Sequence, residues 1–233
     1  MIREVVITGD GSSTIHLPEW NEQYHSKHGA IQEAYHVFIK SGLHYLYNLP
    51  HANFKDASQN LSILEIGFGT GLNAFITLIE ANTLEMNICY NGVEGYPVLG
   101  EEINKLNYAS ELKNNTEASL FKTLHDVSWE EAHKITPNFE LTKTNLFFAE
   151  IKDKSKYNLI YFDAFGARVQ PELWTESIFL KMYEALQNNG VLVTYSAKGS
   201  VRRAMQSVGF EVERLPGPPG KREMLRATKK SGC

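Results

Sequence analysis

The 233-residue sequence predicts an α/β fold with a mostly parallel sheet and helices on both of its faces. Three observations predict it. From Leu61 onward, short apolar runs alternate with stretches of helical spacing. The first of those runs, Leu61–Ile66, leads into the glycine-rich turn Gly67-Phe68-Gly69-Thr70-Gly71. Two later runs, 88–93 and 157–162, each end on an acid, Glu94 and Asp163.

The elements follow in order. Val5 to Ile7 and Thr14 to Leu17 flank the turn residues Gly9-Asp10-Gly11 and read as a hairpin. Ile31, Ala34, Tyr35, Phe38, Ile39 and Leu43 have helical spacing and predict a helix over 31–47. The polar stretch 50–60 reads as a boundary, giving an N-terminal extension (1–57) and a catalytic domain (58–233). Strand 61–66, helix 72–80, strand 88–93 and helix 97–112 come next. Residues 139–148 are strand-like, with a hairpin as one form. Strand 157–162 precedes a helix over 172–187, opened by Pro171 and closed by Asn188-Asn189-Gly190. Strand 191–195, helix 200–208 and the antiparallel pair 210–215 and 223–228 complete the chain.

Composition excludes several classes. With 42% hydrophobic and 21% charged residues the chain is neither disordered nor collagen-like. No apolar run is long enough for a membrane helix, and the first residues lack the apolar core of a secretory signal. Two cysteines, Cys89 and Cys233, with no Cys-x-x-Cys, argue against a disulfide scaffold or a thiolate zinc site and fit the cytoplasm. His25 and His28 lack a third ligand and read as surface histidines, so no metal is expected. No Gly-x-Ser-x-Gly elbow is present, and Gly217 to Arg222 lacks the spacing and Ser/Thr of a phosphate loop. The formal charge of −4 is unevenly spread. From Lys198 onward nine basic side chains face three acidic ones, a net +6, while residues 1–197 carry −10. Such a split raises the question of a polyanionic partner; a solvated basic surface is the plain alternative.

The turn after the first buried strand carries the strongest chemical signal. A dinucleotide fingerprint needs glycine where Leu72 stands. Gly-x-Gly-x-Gly with Glu65 two residues before it is instead the pattern of S-adenosylmethionine (SAM) methyltransferases, and its residues Gly67, Phe68, Gly69, Thr70 and Gly71 are candidates to line the cofactor. A tight strand-to-helix turn without a ligand is the alternative. Glu94, at the end of the next strand, suits both ribose hydroxyls of a nucleoside cofactor, and Asp163 should enter the same crevice. Glu150 is a further candidate, for the adenine amino group. Each acid alone could be a strand-end carboxylate or a cap. Lys198, Arg202, Arg203, Lys221 and Arg222 could hold phosphates. Phe165 and Trp174 could stack an unpaired base, or simply pack.

Together these stretches resemble the methyltransferase half of the bifunctional MnmC enzymes, which modify the wobble uridine of certain bacterial tRNAs. The matching stretches are Tyr24-His25-Ser26, Glu33 to Phe38, Glu65 to Asn73, Glu94 to Pro97, Phe162 to Phe165, Pro171 to Trp174, Val201-Arg202-Arg203, Gly209-Phe210 and Lys221 to Leu225. The resemblance implies a Rossmann-like class I methyltransferase fold with an antiparallel C-terminal strand. It implies SAM as cofactor, Asn73 and Tyr24 beside it, and Asp163 at the reaction centre. It implies N-methylation of 5-aminomethyl-(2-thio)uridine in the tRNA anticodon loop, and closure of the segment from Tyr24 to Glu33 over the cofactor. A chain of this length would be a stand-alone methyltransferase without the FAD-dependent oxidase half. The family usually has Ala-Pro and Lys-Asn after Asp-Ala/Gly-Phe; this chain has Gly166 to Gln170, with Arg168 as a replacement for the lysine. Two other classes compete: a SAM methyltransferase with a different substrate, and a non-catalytic RNA-binding protein on the same fold. The latter should lack Asp163 or the glycine loop. The Asp/Asn-Pro-Pro-Tyr motif of DNA adenine enzymes is missing.

Overall fold

A computed structural model describes residues 2–50, 54, 59–112 and 118–231. The chain opens with the expected hairpin, β1 (Glu4–Ile7) antiparallel to β2 (Ser13–Leu17). Its turn is tied by Asp10, whose carboxylate accepts the Thr8 and Ser12 hydroxyls and the backbone N–H groups of Ser12 and Gln32. A two-residue strand, β3 (Glu22–Gln23), adds a third member on the far side of β2. It is too short to leave a period in the sequence.

A helical stretch follows: α1 (Ala30–Ala34), a π-helical segment over Tyr35–Leu43, and α2 (His44–Tyr47). The Ser41 hydroxyl caps the His36 carbonyl inside it, 2.8 Å away. Its apolar face lies on the main sheet. Phe38 is fully buried against Tyr161, and Gly42 passes so close that an added Cβ would sit 3.0 Å from Val193 Cγ2. Burial of one such phenylalanine favours folding by about 2–3 kcal/mol, so the stretch shares its core with the sheet. The expected boundary at 57/58 lies outside the described residues.

The main sheet contains β4 (Leu61–Ile66), β5 (Ile88–Val93), β6 (Ala132–Thr136), β7 (Phe139–Thr144), β8 (Tyr157–Phe162), β9 (Leu186–Thr194), β10 (Glu211–Pro216) and β11 (Glu223–Thr228). The order is β10-β11-β9-β8-β4-β5-β7-β6. The five strands from β9 to β7 run parallel, while β11 and β6 run against their neighbours. The central strands β4 and β8 are buried on both faces, as their unbroken apolar runs require. One face is covered by the π-helical stretch, α3 (Leu72–Thr83), α5 (Tyr108–Glu111) and α6 (Ala118–Asp126). The other is covered by α7 (Glu176–Ala185) and α8 (Gly199–Ser207).

Several expectations change. The helix expected over 97–112 is two short ones, α4 (Gly100–Ile103) and α5. Asn107 lies between them, and its backbone and side chain bond to Ser13 and Gly11 of the hairpin, which holds the chain out of helical geometry. Strand β7 stops at Thr144, and its hairpin partner β6 comes before it, not after. The helix expected from Glu172 starts as a 3-10 turn, Pro171–Trp174, and is interrupted by extended Thr175. Strand β9 starts at Leu186 and runs through the expected turn, with Asn189 left-handed and the pairing to β8 shifting register.

Candidate active site

The carboxyl ends of β4, β5 and β8 meet at one crevice, the position where open parallel sheets take ligands. After β4 the chain turns through Gly67 and Gly69, both left-handed. Gly67 is required by packing: a Cβ there would lie 2.8 Å from the Asp163 carbonyl. At Gly69 a Cβ would press on the Tyr24 ring at 3.1 Å. The loop is anchored by the Val93 carbonyl, which accepts from the N–H groups of Gly67 and Phe68, both at 3.0 Å.

Glu94 takes the Gly69 N–H on Oε2 at 3.0 Å and the Tyr96 N–H on Oε1 at 2.9 Å. Each oxygen therefore keeps an acceptor position, and the residue faces the cavity. Below it, the Asn73 amide nitrogen donates to two carboxylates, Glu65 Oε1 at 2.9 Å and Asp163 Oδ2 at 2.8 Å. Burial pushes the Glu65 carboxyl well above the usual carboxylate range. Asp163 is pushed up to about 7, by burial first and by the Glu33 carboxylate second; the Asn73 hydrogen bond and the Lys221 ammonium oppose this. A carboxyl titrating there can exchange a proton near neutral pH.

The N-terminal segment covers the crevice. Tyr24 and Trp20 meet the Phe165 ring edge-on, with centroids 4.9 and 5.6 Å away. Arg168 donates to the Trp20 and Asn21 carbonyls and to Glu22, fastening this flap to the loop after β8. Arg3, just before β1, reaches the Tyr96 and Pro97 carbonyls and Glu102. The cavity beneath this segment has a volume of about 1370 Å³ and runs from Tyr96 and Glu94 past Asp163 to Lys221.

Of the expected residues, Tyr24, Gly67, Gly69, Glu94, Asp163, Phe165, Arg168 and Lys221 line this cavity. Glu65, Phe68, Thr70 and Asn73 are buried behind it. Thr70 accepts from the Tyr108 hydroxyl, and Phe68 packs edge-on against His125 and Trp129. Gly71 starts α3. Glu150 is exposed, and its carboxylate is engaged by the Phe147 N–H, so it caps a 3-10 turn (Phe148–Glu150) next to the cavity. Trp174 lies in the core at 5% exposure, and its indole donates to the Phe165 carbonyl at 2.7 Å, which leaves no face open to a base. Lys198 and Arg222 flank a shallow hollow beyond Tyr195, with Arg202 and Arg203 nearby on α8. His25 is not a plain surface histidine. It lines the cavity, bonds to Thr14, and burial pushes its imidazole down to about 4.

Sequence reasoning missed Arg3, Trp20 and Tyr195, whose neighbours in space are distant in sequence. It gave Glu33 no chemical role, although an acid between Ile31 and Ala34 in an apolar helix was a signal.

A family profile described as "S-adenosyl-L-methionine-dependent methyltransferase" matches residues 111–230. The chain belongs to this family. Its fold is the Rossmann-like one of these enzymes, and its cofactor is SAM. Among curated proteins, two "tRNA 5-methylaminomethyl-2-thiouridine biosynthesis bifunctional protein MnmC" sequences are similar. That of Hydrogenovibrio crunogenus is 27% identical over 217 residues, covering 88% of this chain and 31% of that protein. That of Paraburkholderia xenovorans is 26% identical over 233 residues, covering 94% and 34%. The chain thus spans about a third of the length of these relatives. Among solved structures, MnmC2 of Aquifex aeolicus superposes with a TM-score of 0.76 at 24% identity, over 99% of this chain and 71% of that one. Among the described residues no helix is long and apolar enough to cross a membrane, and no group of histidine, cysteine and acidic side chains could hold a metal ion.

The residues present fit the cofactor. Glu94 offers two acceptor positions to a ribose diol. The crevice holds Glu94, Asp163 and Glu33, an acidic surrounding for a sulfonium and an ammonium.

Proposed function

We propose that this chain methylates the primary amine of 5-aminomethyl-(2-thio)uridine at the tRNA wobble position, giving the 5-methylaminomethyl base, in the cytoplasm. Asp163 carries this reading: a carboxyl held near neutrality on the wall of a cavity larger than the cofactor needs. The names of the relatives and the residues shared with their family support the substrate.

The cofactor supplies an electrophilic methyl group on a sulfonium. An alkylamine is mostly protonated at pH 7 and must first lose a proton. Asp163 accepts that proton, freeing the nitrogen lone pair. A nitrogen–carbon bond would then form as the sulfur–carbon bond breaks, with the thioether as leaving group, and the second proton would pass from the secondary ammonium to solvent. Because the displacement is in-line, most of the work is alignment. Asn73 fixes one oxygen of Asp163, while Tyr24, Trp20 and Phe165 form one wall of the cavity. The decisive experiment is mass spectrometry of nucleosides from undermodified tRNA incubated with protein and SAM. A methylaminomethyl product is expected; its absence while another substrate is methylated would overturn the reading.

The basic tail narrows in the structure. Lys221, Arg214, Arg226 and Lys230 are paired with Glu33, Glu223, Glu213 and Glu211, and Lys229 donates to the Leu186 carbonyl. The side chains of Lys198, Arg202, Arg203 and Arg222 have no such partner among the described residues. With four phosphates engaged, log affinity for tRNA should fall with log salt at a slope of about −3. Substituting these four by Gln should flatten the slope in filter-binding titrations, whereas Lys221→Gln should leave it unchanged. A slope insensitive to the four would exclude them from the interface.

A further inference from the structure

One ion pair in the cavity wall has no part in the steps above. Glu33, of α1, is 6% exposed and holds Lys221, from the loop between β10 and β11, at 2.5 Å. Its other oxygen accepts the Ser26 N–H at 2.7 Å. The Lys221 ammonium sits 3.8 Å above the Tyr195 ring, and the Tyr195 hydroxyl donates to the carbonyl of Ala164, the residue after Asp163. The pair thus joins the flap, the C-terminal loop and the end of β8 at one point. Only the Glu33 side is buried, while the Lys221 side chain is a third exposed, so the pair contributes little to stability once solvent screening is counted. Both members face the same crevice as Asp163.

We propose that Glu33 and Lys221 form a positioning unit for Asp163: Glu33 favours uptake of the amine proton by that carboxyl, and Lys221 favours its release. The proton passes from the substrate nitrogen to an Asp163 oxygen and then to solvent, so nothing else is consumed. This rests on Asp163 being the acceptor. The charged and titratable groups around Asp163 are Glu65 of β4, Tyr90 of β5, Tyr195 after β9, Glu33 and Lys221, with Asn73 as its hydrogen-bond donor. Among these, only the ion pair supplies charges of opposite sign that can be removed one at a time.

The test follows the Asp163 carboxyl by NMR titration of isotope-labelled aspartate in the free protein, with Asp163→Asn for assignment. Glu33→Gln should lower its midpoint and Lys221→Met should raise it, each by on the order of one pH unit. Lys221→Arg, which keeps the charge, should restore the wild-type midpoint. The pH limb of kcat should move in the same directions. Midpoints unmoved by either variant would overturn the proposal. If Glu33→Gln does not fold, Lys221→Met alone decides it, because an unmoved midpoint there is equally fatal. The readout needs no substrate. Shifted midpoints in a protein that does not methylate tRNA would therefore retain the ion pair's effect on Asp163 and reject the proposed substrate.

Discussion

Replacing Asp163 with Asn should lower turnover by about 100- to 10,000-fold, the range for losing a positioned proton acceptor. SAM affinity should stay within a few-fold, since Glu94 and the glycine loop are untouched. The amide keeps the shape and can still accept from Asn73, so the loss isolates the proton step. Rapid-quench single turnover with saturating tRNA measures it; a rate near that of the wild type would remove Asp163 from the mechanism. The pH dependence carries its own sign. Below about pH 7 the Asp163 carboxyl is protonated and cannot accept, so the wild-type rate should rise with pH through that region. Stability should run the opposite way. A carboxyl whose folded value lies above its unfolded one holds its proton only when folded between the two, so its contribution is largest at low pH. That contribution is lost as pH rises from about 4 to 7. Asp163→Asn has no such loss, and its melting temperature should gain on the wild type across that range. An activity defect with improved stability at pH 8 is the signature of a strained site.

Glu94→Ala should act on the other half of the crevice. Hydrogen bonds to a carboxylate contribute about 1.5–3 kcal/mol each. Losing a ribose diol should therefore weaken SAM binding by roughly a hundredfold or more. Part of the loss comes through the protein, because the Gly69 and Tyr96 N–H groups lose their acceptor and the loop loosens. Glu94→Gln separates the two contributions: its carbonyl oxygen can keep one of these bonds, while its amide cannot accept from both hydroxyls. Calorimetry should rank wild type, Gln and Ala in order of falling affinity. Unchanged affinity in the Ala variant would refute the ribose role.

The two variants exploit different legibility. Strands β4, β5 and β8 match the expected ranges because apolar runs flanked by glycine and acids leave few alternatives. Strand periodicity then placed Glu94 and Asp163 at one edge. Trp174 and Glu150 were different: each is near the site in sequence, yet the side-chain direction turns one into the core and the other into a cap. The basic tail was legible as composition only. Which cations stay free depends on acids on β10 and β11 and on Glu33, 188 residues before Lys221.

By itself, the sequence determined an α/β methyltransferase sheet, a glycine loop and the acids at the strand ends, because these follow from local period and from spacing along single turns. Only the tertiary structure decided the flap's closure through Arg168, the amide shared by Glu65 and Asp163, and the Glu33–Lys221 pair. Each of these depends on side chains from remote elements meeting in space. The burial that sets the chemistry of Asp163 is a property of their assembly, and no segment of the chain carries it alone.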